Sequence, residues 1–93
     1  MISVYHKIKS DYFTAAKKFV AQEFTLVAKV DTDDLEEAYR LTNTINCSWW
    51  ENEGVEAIIT KTRSTSVGDV MLDHKDGKFH AVAGCGFAEI GAA

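Results

Sequence analysis

Residues 70–83 read VMLDHKDGKFHAVA, and this segment shapes the predicted architecture more than any other. Two apolar runs, residues 70–72 and residues 79–83, flank a polar loop that contains the dipeptide Asp76-Gly77. Asp-Gly between apolar runs is among the strongest short-range signals for a β-hairpin, because glycine adopts the positive φ that a tight turn needs. The segment therefore predicts a pair of antiparallel strands.

Upstream, two segments alternate apolar and polar residues with the period of two that a half-buried strand requires. They are residues 2–8, in which His6 falls on the apolar side, and residues 24–30. A short strand is also expected within residues 55–60, and a last one at residues 87–90.

Two other segments carry apolar residues at helical spacing. Residues 33–45 are expected to form the main helix, since Asp33 and Glu36 fit a capping box ahead of a single apolar stripe. Residues 12–22 are expected to form a shorter helix beside it. The predicted fold is thus a single α+β domain over residues 1–93, with a mainly antiparallel sheet of four to five strands covered on one face by the main helix.

The predicted core takes the apolar residues that share one face of these elements. They are Ile2, Val4, Leu26, Ala28, Leu35, Ala38, Tyr39, Val70, Leu72, Ala81 and Phe87.

The composition narrows the range of functions. The chain has 93 residues, 46% of them hydrophobic, which is enough for one domain with a modest core. Its net charge of -4 opposes binding to a polyanion, and the sequence has no basic stripe of the kind that phosphate contacts need. Nucleic acid is therefore an unfavoured partner.

The expected location is the cytoplasm of a host cell. No apolar run approaches the ~18 residues of a membrane helix, and the N-terminus does not resemble a secretory signal. Cys47 and Cys85 have no Cys or His neighbour at ligand spacing, which favours two free thiols in a reducing compartment. A disulfide between them is the alternative.

The best place to expect a binding surface is Trp49-Trp50, followed by Asn52 in a polar segment. Two adjacent tryptophans cannot both face one core if the backbone is extended, so one of them should be at least partly exposed. An exposed indole suits a protein interface or base stacking. The alternative is that one ring closes the sheet edge and the other covers the end of the helix.

A second candidate site lies just ahead of the hairpin. Arg63, Ser64 and Ser66 could direct a guanidinium, hydroxyls and loop amides at a phosphate or a carboxylate. Two structural alternatives stay open: a turn in which the hydroxyls and Asp69 bond the local backbone, or a partly buried ion pair between Asp69 and Arg63.

Catalytic and metal motifs are missing from the sequence. His6, His74 and His80 are well separated, and no His-x-x-x-His or Cys-x-x-Cys spacing occurs. We therefore predict no enzyme activity, no metal site and no cofactor. An unrecognised hydrolase would need a pocket that joins Asp69 to a histidine.

The C-terminal third carries a family resemblance. Arg63-Ser-Thr-Ser-Val-Gly-Asp-Val70, the Asp76-Gly77 turn and Gly86-Phe87-Ala88-Glu89-Ile90 together resemble the YodL-like domain of bacteria and mobile elements. In that family a hydroxyl-rich segment leads into a hairpin and ends at Gly-Phe, although Gly68 stands where the domain often has Ser. The sequence of residues 34–43 and 49–54 resembles that of small uncharacterised proteins of tailed phages.

The resemblance implies a phage or mobile-element origin and no definite activity. The leading functional hypothesis is a small non-catalytic accessory protein that binds a host or phage protein through Trp49, Trp50, Asn52 and the adjacent turn at 63–69. The alternative is a module that binds a phosphate-containing ligand or nucleic acid through that turn, since Gly-Asp ahead of a hairpin also resembles the entry to PUA and ASCH-type modules. A homodimer through an open sheet edge is a further expectation.

Overall fold

The fold is α+β, as predicted, in a computed structural model that describes residues 1–8, 15–43, 48–84 and 86–92. The described residues form one antiparallel sheet of six strands in the order β3-β2-β1-β4-β5-β6. Its strands are β1 (Ile2–Lys7), β2 (Phe24–Val30), β3 (Val55–Ala57), β4 (Val70–Asp73), β5 (Lys78–Ala83) and β6 (Gly86–Ala92). One helix, α1 (Leu35–Thr42), and two short 3-10 turns, Ala21–Glu23 and Trp49–Glu51, complete the described elements. The sheet has one strand more than predicted.

The predicted hairpin is confirmed as β4 and β5. Its register pairs Val70 with Ala81 and Asp73 with Lys78. The turn closes where the amide of Gly77 donates to the carbonyl of Asp73 at 2.9 Å. Gly77 has a φ of 70°, which a residue with a side chain adopts only at a cost.

Strand β1 lies at the centre of the sheet and pairs with both β2 and β4. A bulge interrupts its register with β2, because Val4 faces Ala28 while Tyr5 faces Leu26, which leaves Val27 as the extra residue. Val27 and Ala28 are consequently both buried, and the strict alternation predicted for β2 fails there. The carbonyl of Val27 accepts the amides of residues 58 and 59, so the bulge also fixes the chain that follows β3.

Helix α1 covers one face of the sheet. Ala38 on the helix joins the same buried cluster as Ile2, Val4 and Met71 of the sheet. The helix begins one residue later than the capping box predicted: Asp34 is the N-cap, and its carboxylate accepts the amide of Glu36 at 3.0 Å.

The predicted cap was wrong because Asp33 has a competing partner. Its carboxylate instead binds the N-terminal ammonium of Met1 at 2.7 Å, which leaves the adjacent Asp34 to cap α1. The predicted end of the helix at Ile45 lies outside the described residues.

The opposite face carries an aromatic cluster. Phe19 stacks on Phe79 with ring centroids 4.1 Å apart and on Phe24 at 5.2 Å, and its edge contacts Tyr5 at 5.0 Å. Tyr5 and Phe79 belong to strands, and the register places both on the face away from α1.

The helix predicted over residues 12–22 is wrong for its described part. Residues 15–20 are irregular, and a 3-10 turn follows at Ala21–Glu23; residues 9–14 lie outside the described residues. The contacts of Phe19 with three rings, of which Tyr5 and Phe79 are distant in sequence, outweigh a helical pattern that has only local support.

The predicted core is confirmed at its centre. Ile2, Val4, Ala28, Ala38, Val70 and Ala81 are buried, whereas Leu26, Leu35, Tyr39, Leu72 and Phe87 are half-buried. Prediction missed two large side chains, Trp49 and Met71, which are at most 1% exposed. No helix in the described ranges is long and apolar enough to cross a bilayer. The predicted thiols, Cys47 and Cys85, lie outside those ranges.

Candidate functional site

The carboxylate of Asp69 is the centre of a polar cluster beneath the sheet end where β1 finishes. Asp69 is 1% exposed. One oxygen accepts Arg63 Nη2 at 2.7 Å and the amide of Lys7 at 2.8 Å. The other accepts Arg63 Nη1 at 2.6 Å and the amide of Ser66 at 2.9 Å. A carboxylate has about four lone-pair positions, so these four donors satisfy it.

This arrangement contains both structural alternatives for the turn at 63–69. The guanidinium of Arg63 forms a two-pronged ion pair with Asp69, and its Nη1 also approaches the carbonyl of Ser64 at 3.1 Å and the hydroxyl of Ser66 at 3.5 Å. The anion that Arg63 binds is therefore a side chain of the same molecule. The ion pair and the local turn, both considered as structural alternatives, occur together.

His6 lies beside this ion pair. Its Nε2 is 2.9 Å from the hydroxyl of Thr65 and 3.9 Å from the carboxylate of Asp69. Burial lowers the pKa of His6 from 6.5 to about 4; Asp69 opposes that shift, and Arg63 adds to it. The ring is thus neutral near pH 7. Its Nδ1 is buried and has no hydrogen-bond partner in the described chain.

The grouping of Asp69, His6 and Thr65 differs from a nucleophile triad. In a triad the acid and the nucleophile contact opposite nitrogens of the imidazole, whereas here Thr65 and Asp69 both lie nearest Nε2. Thr65 is also completely buried, so its hydroxyl does not reach a substrate. The cluster brings Asp69 and a histidine together, as a hydrolase would need, and its hydrogen bonds also tie β1 to the turn at 63–69.

Trp49 is buried and forms hydrogen bonds to the backbone next to the Asp69 cluster. It is 1% exposed, and its indole N–H donates to the carbonyls of Thr62 and Arg63, each at 3.1 Å. Its ring centroid lies 6.1 Å from that of His6. Trp49 therefore fixes the backbone that presents Arg63.

The other two residues of the predicted surface are half-buried. Trp50 packs against the core cluster and meets Trp49 edge to face at 5.7 Å. Asn52 donates from its side-chain amide to the carbonyl of Leu41 at 2.8 Å and so ties this segment to α1. The expectation that one of the two tryptophans is partly exposed is met by Trp50.

An open cleft of about 520 Å³ lies next to the polar cluster. Its described lining contains two lysines, Lys7 and Lys61, along with Arg63, and no carboxylate. The lining residues are His6, Lys7, Ile8, Thr25, Val27, Ile59, Lys61, Thr62 and Arg63. We call it the lysine-lined cleft.

Two exposed isoleucines line this cleft. Ile8 is 62% exposed and Ile59 37% exposed, and both line it; Ile58, the neighbour of Ile59, is 48% exposed. Of the four exposed large hydrophobic residues in the described chain, only Met1 neither lines this cleft nor is adjacent in sequence to an isoleucine that does. Sequence reasoning missed this surface, because it assigned Ile8 to the inward side of β1 and residues 58 and 59 to a strand.

A different group could hold a metal ion. Single donor atoms of Asp73, Asp76 and His80 all lie within 4.8 Å of one another in the β4–β5 hairpin. No metal motif in the sequence indicated this group, because its three residues meet only once the hairpin forms.

Comparison with family models gave no match, and comparisons with curated proteins and with solved structures gave none either. The resemblance to the YodL-like domain and to phage proteins therefore stays a prediction.

Proposed function

We propose that this chain is a small non-catalytic binding module, an accessory protein of a phage or mobile element, and that it recognises an acidic segment of a host or phage protein at the lysine-lined cleft. The observation that carries the proposal is that two exposed isoleucines, Ile8 and Ile59, line one open cleft together with two lysines. Apolar side chains with a charged rim are typical of protein interfaces.

The charges favour an acidic partner. Lys7 and Lys61 form no ion pair with any described residue, and the described lining of the cleft has no carboxylate to repel an acidic segment. Because the whole chain has a net charge of -4, this positive surface is local. A local surface suits a short acidic segment with one or two apolar side chains better than a long polyanion.

The buried cluster around Asp69 supports the proposal by fixing the cleft. Arg63 lines the cleft and is held by Asp69, while the backbone before it is held by Trp49. The cleft is thus preorganised, which lowers the entropy cost of binding. In this proposal Trp49 acts from inside the protein, and Trp50 lies at the margin of the core instead of at the centre of the interface.

The test is capture from host lysate with the wild-type chain and a Lys7→Glu/Lys61→Glu variant, read by mass spectrometry. The matched control is Lys17→Glu/Lys75→Glu, which makes the same change in net charge at two exposed lysines that do not line the cleft. We expect the double variant to lose a partner that the control retains. Retention of every partner by a folded double variant would contradict the proposal.

A second candidate is a phosphate-containing small ligand in the same cleft. It is favoured by the hydroxyls of Thr25 and Thr62 beside the two lysines. Titration with inorganic phosphate and a nucleoside monophosphate at rising salt separates the two, since binding dominated by phosphate charge weakens steeply with ionic strength. Saturable phosphate binding that is lost in the double variant, with no protein captured, would favour this second function.

A further inference from the structure

We propose that the β4–β5 hairpin holds a divalent transition-metal ion between Asp73, Asp76 and His80. Asp73 ends β4, Asp76 lies in the turn, and His80 belongs to β5. The register pairs Met71 with His80 and Asp73 with Lys78, so Asp73 and His80 are on the same face of the hairpin.

The donor atoms already converge. All three lie within 4.8 Å of one another, and Nε2 of His80 is 3.0 Å from a carboxylate oxygen of Asp76. Around a tetrahedral ion with bonds of about 2.1 Å, neighbouring donors stand roughly 3.4 Å apart. Small side-chain rotations therefore suffice to bring the three atoms to one ion, which would replace the direct contact between His80 and Asp76.

The carboxylate of Asp73 has acceptor capacity left for a cation. The residue is 9% exposed, yet its carboxylate forms no ion pair with a described residue. Its Oδ1 accepts the amide of Lys75 at 2.9 Å, and its Oδ2 accepts no hydrogen bond in the described chain. Buried carboxylates are normally paired with a cation or bound to a metal. The nearest lysine in the register, Lys78, is engaged by Glu89 at 3.2 Å.

The donor set indicates the class of metal. Two carboxylates and one imidazole supply two negative charges, which match a divalent ion, and the imidazole favours Zn²⁺ or a neighbouring first-row metal over Mg²⁺. His80 is suited to be a ligand because its side chain is only 13% exposed and is already oriented toward Asp76. Three protein ligands leave at least one coordination position for water or for a group of a partner.

The experiment is a Zn²⁺ titration of the whole chain, followed by the ring ¹⁵N resonances of its three histidines and by calorimetry. We expect one ion per chain and a large shift of Nε2 in His80, with His6 and His74 little changed. His80→Gln and Asp73→Asn should each lower the affinity by at least about tenfold, since even the loss of a supporting residue around a metal costs 10 to 100-fold.

Two controls make the result specific. His74→Gln removes a histidine of the same hairpin that binds Ser3 at 2.7 Å and does not belong to the cluster, so it should leave the affinity unchanged. A Cys47→Ser/Cys85→Ser variant tests whether the thiols take the ion instead. The proposal is overturned if Zn²⁺ does not bind, if the Cys variant loses the binding, or if folded His80→Gln binds as tightly as the wild type.

Discussion

Two aspartates of this protein are buried next to a histidine, and they differ in how many hydrogen-bond donors they meet. Asp69 receives four donors, two of them from a guanidinium. Asp73 receives one, from the amide of Lys75. The same pair of residue types therefore serves two purposes: a carboxylate with every lone pair used holds the fold, whereas one with acceptor capacity left can take a ligand.

The largest effect that this comparison predicts is that of Asp69→Asn. An amide keeps one acceptor oxygen and places an NH₂ against Arg63 or a backbone amide, so at least two buried donors lose their partner and the guanidinium loses its counter-charge. We expect the free energy of unfolding to fall by about 3–5 kcal/mol, the range for breaking a buried ion pair. Urea denaturation measures it. A loss below about 1 kcal/mol would show that the network contributes little stability.

The next effect is a loss of stability in mild acid through His6. Its pKa is about 4 in the folded chain, against 6.5 ordinarily, because burial disfavours the charged ring. Between these values the unfolded chain binds more protons, so stability is full above pH 6.5 and falls as the pH drops toward 4. The total loss is about 3 kcal/mol. Denaturation at a series of pH values measures it.

The contribution of His6 to the pH dependence of stability is measured by comparing two histidine variants with the wild type. His6→Gln should flatten the slope of stability against pH between 6.5 and 4, whatever it does to stability at pH 7. His74→Gln is the control, because it makes the same substitution at an exposed histidine. Equal slopes in wild type and His6→Gln would contradict the assignment.

A smaller effect is expected for Arg63→Lys. Lysine keeps the positive charge beside Asp69 but cannot form the two parallel bonds that the guanidinium makes at 2.6 and 2.7 Å. It would also lose the bond from Arg63 Nη2 to the carbonyl of Lys7. We expect a loss of about 2 kcal/mol, less than for Asp69→Asn, because no buried charge is left alone. A loss as large as that of Asp69→Asn would mean that geometry matters more than charge in this pair.

Local signals carried most of the correct fold prediction. The hairpin follows from Asp76-Gly77 between two apolar runs, and α1 from the polar residues before it and its apolar stripe. The segment at 12–22 had the same kind of local pattern but failed in its described part, because Phe19 is held by aromatic rings on three different strands. No local pattern contains that information.

The groups around Asp69 and Asp73 also differ in how far apart their members lie in the sequence. The partners of Asp69 include the amide of Lys7 and lie near His6, both more than sixty positions away, so composition and spacing could name the ion pair with Arg63 only as one alternative. The group of Asp73, Asp76 and His80 could have been predicted from the sequence. Once the hairpin is predicted, its register places Asp73 and His80 on one face, and a search for ligands across the turn would have found them.

The smallest change in stability is expected for Asp73→Asn, and it distinguishes the group around Asp73 most clearly from the group around Asp69. Asp73→Asn keeps an oxygen that can accept the amide of Lys75 and removes a buried charge that has no cation among the described residues. In metal-free buffer we expect a change within about 1 kcal/mol, and in the stabilising direction, since no ion pair is lost. The same substitution at Asp69 should cost several times more. With Zn²⁺ present, the wild type should gain stability and Asp73→Asn should not, because only a ligand bound to the folded chain raises its stability. If Asp73→Asn were as damaging as Asp69→Asn without metal, the carboxylate of Asp73 would be structural, and the proposed metal site would lose its buried carboxylate ligand.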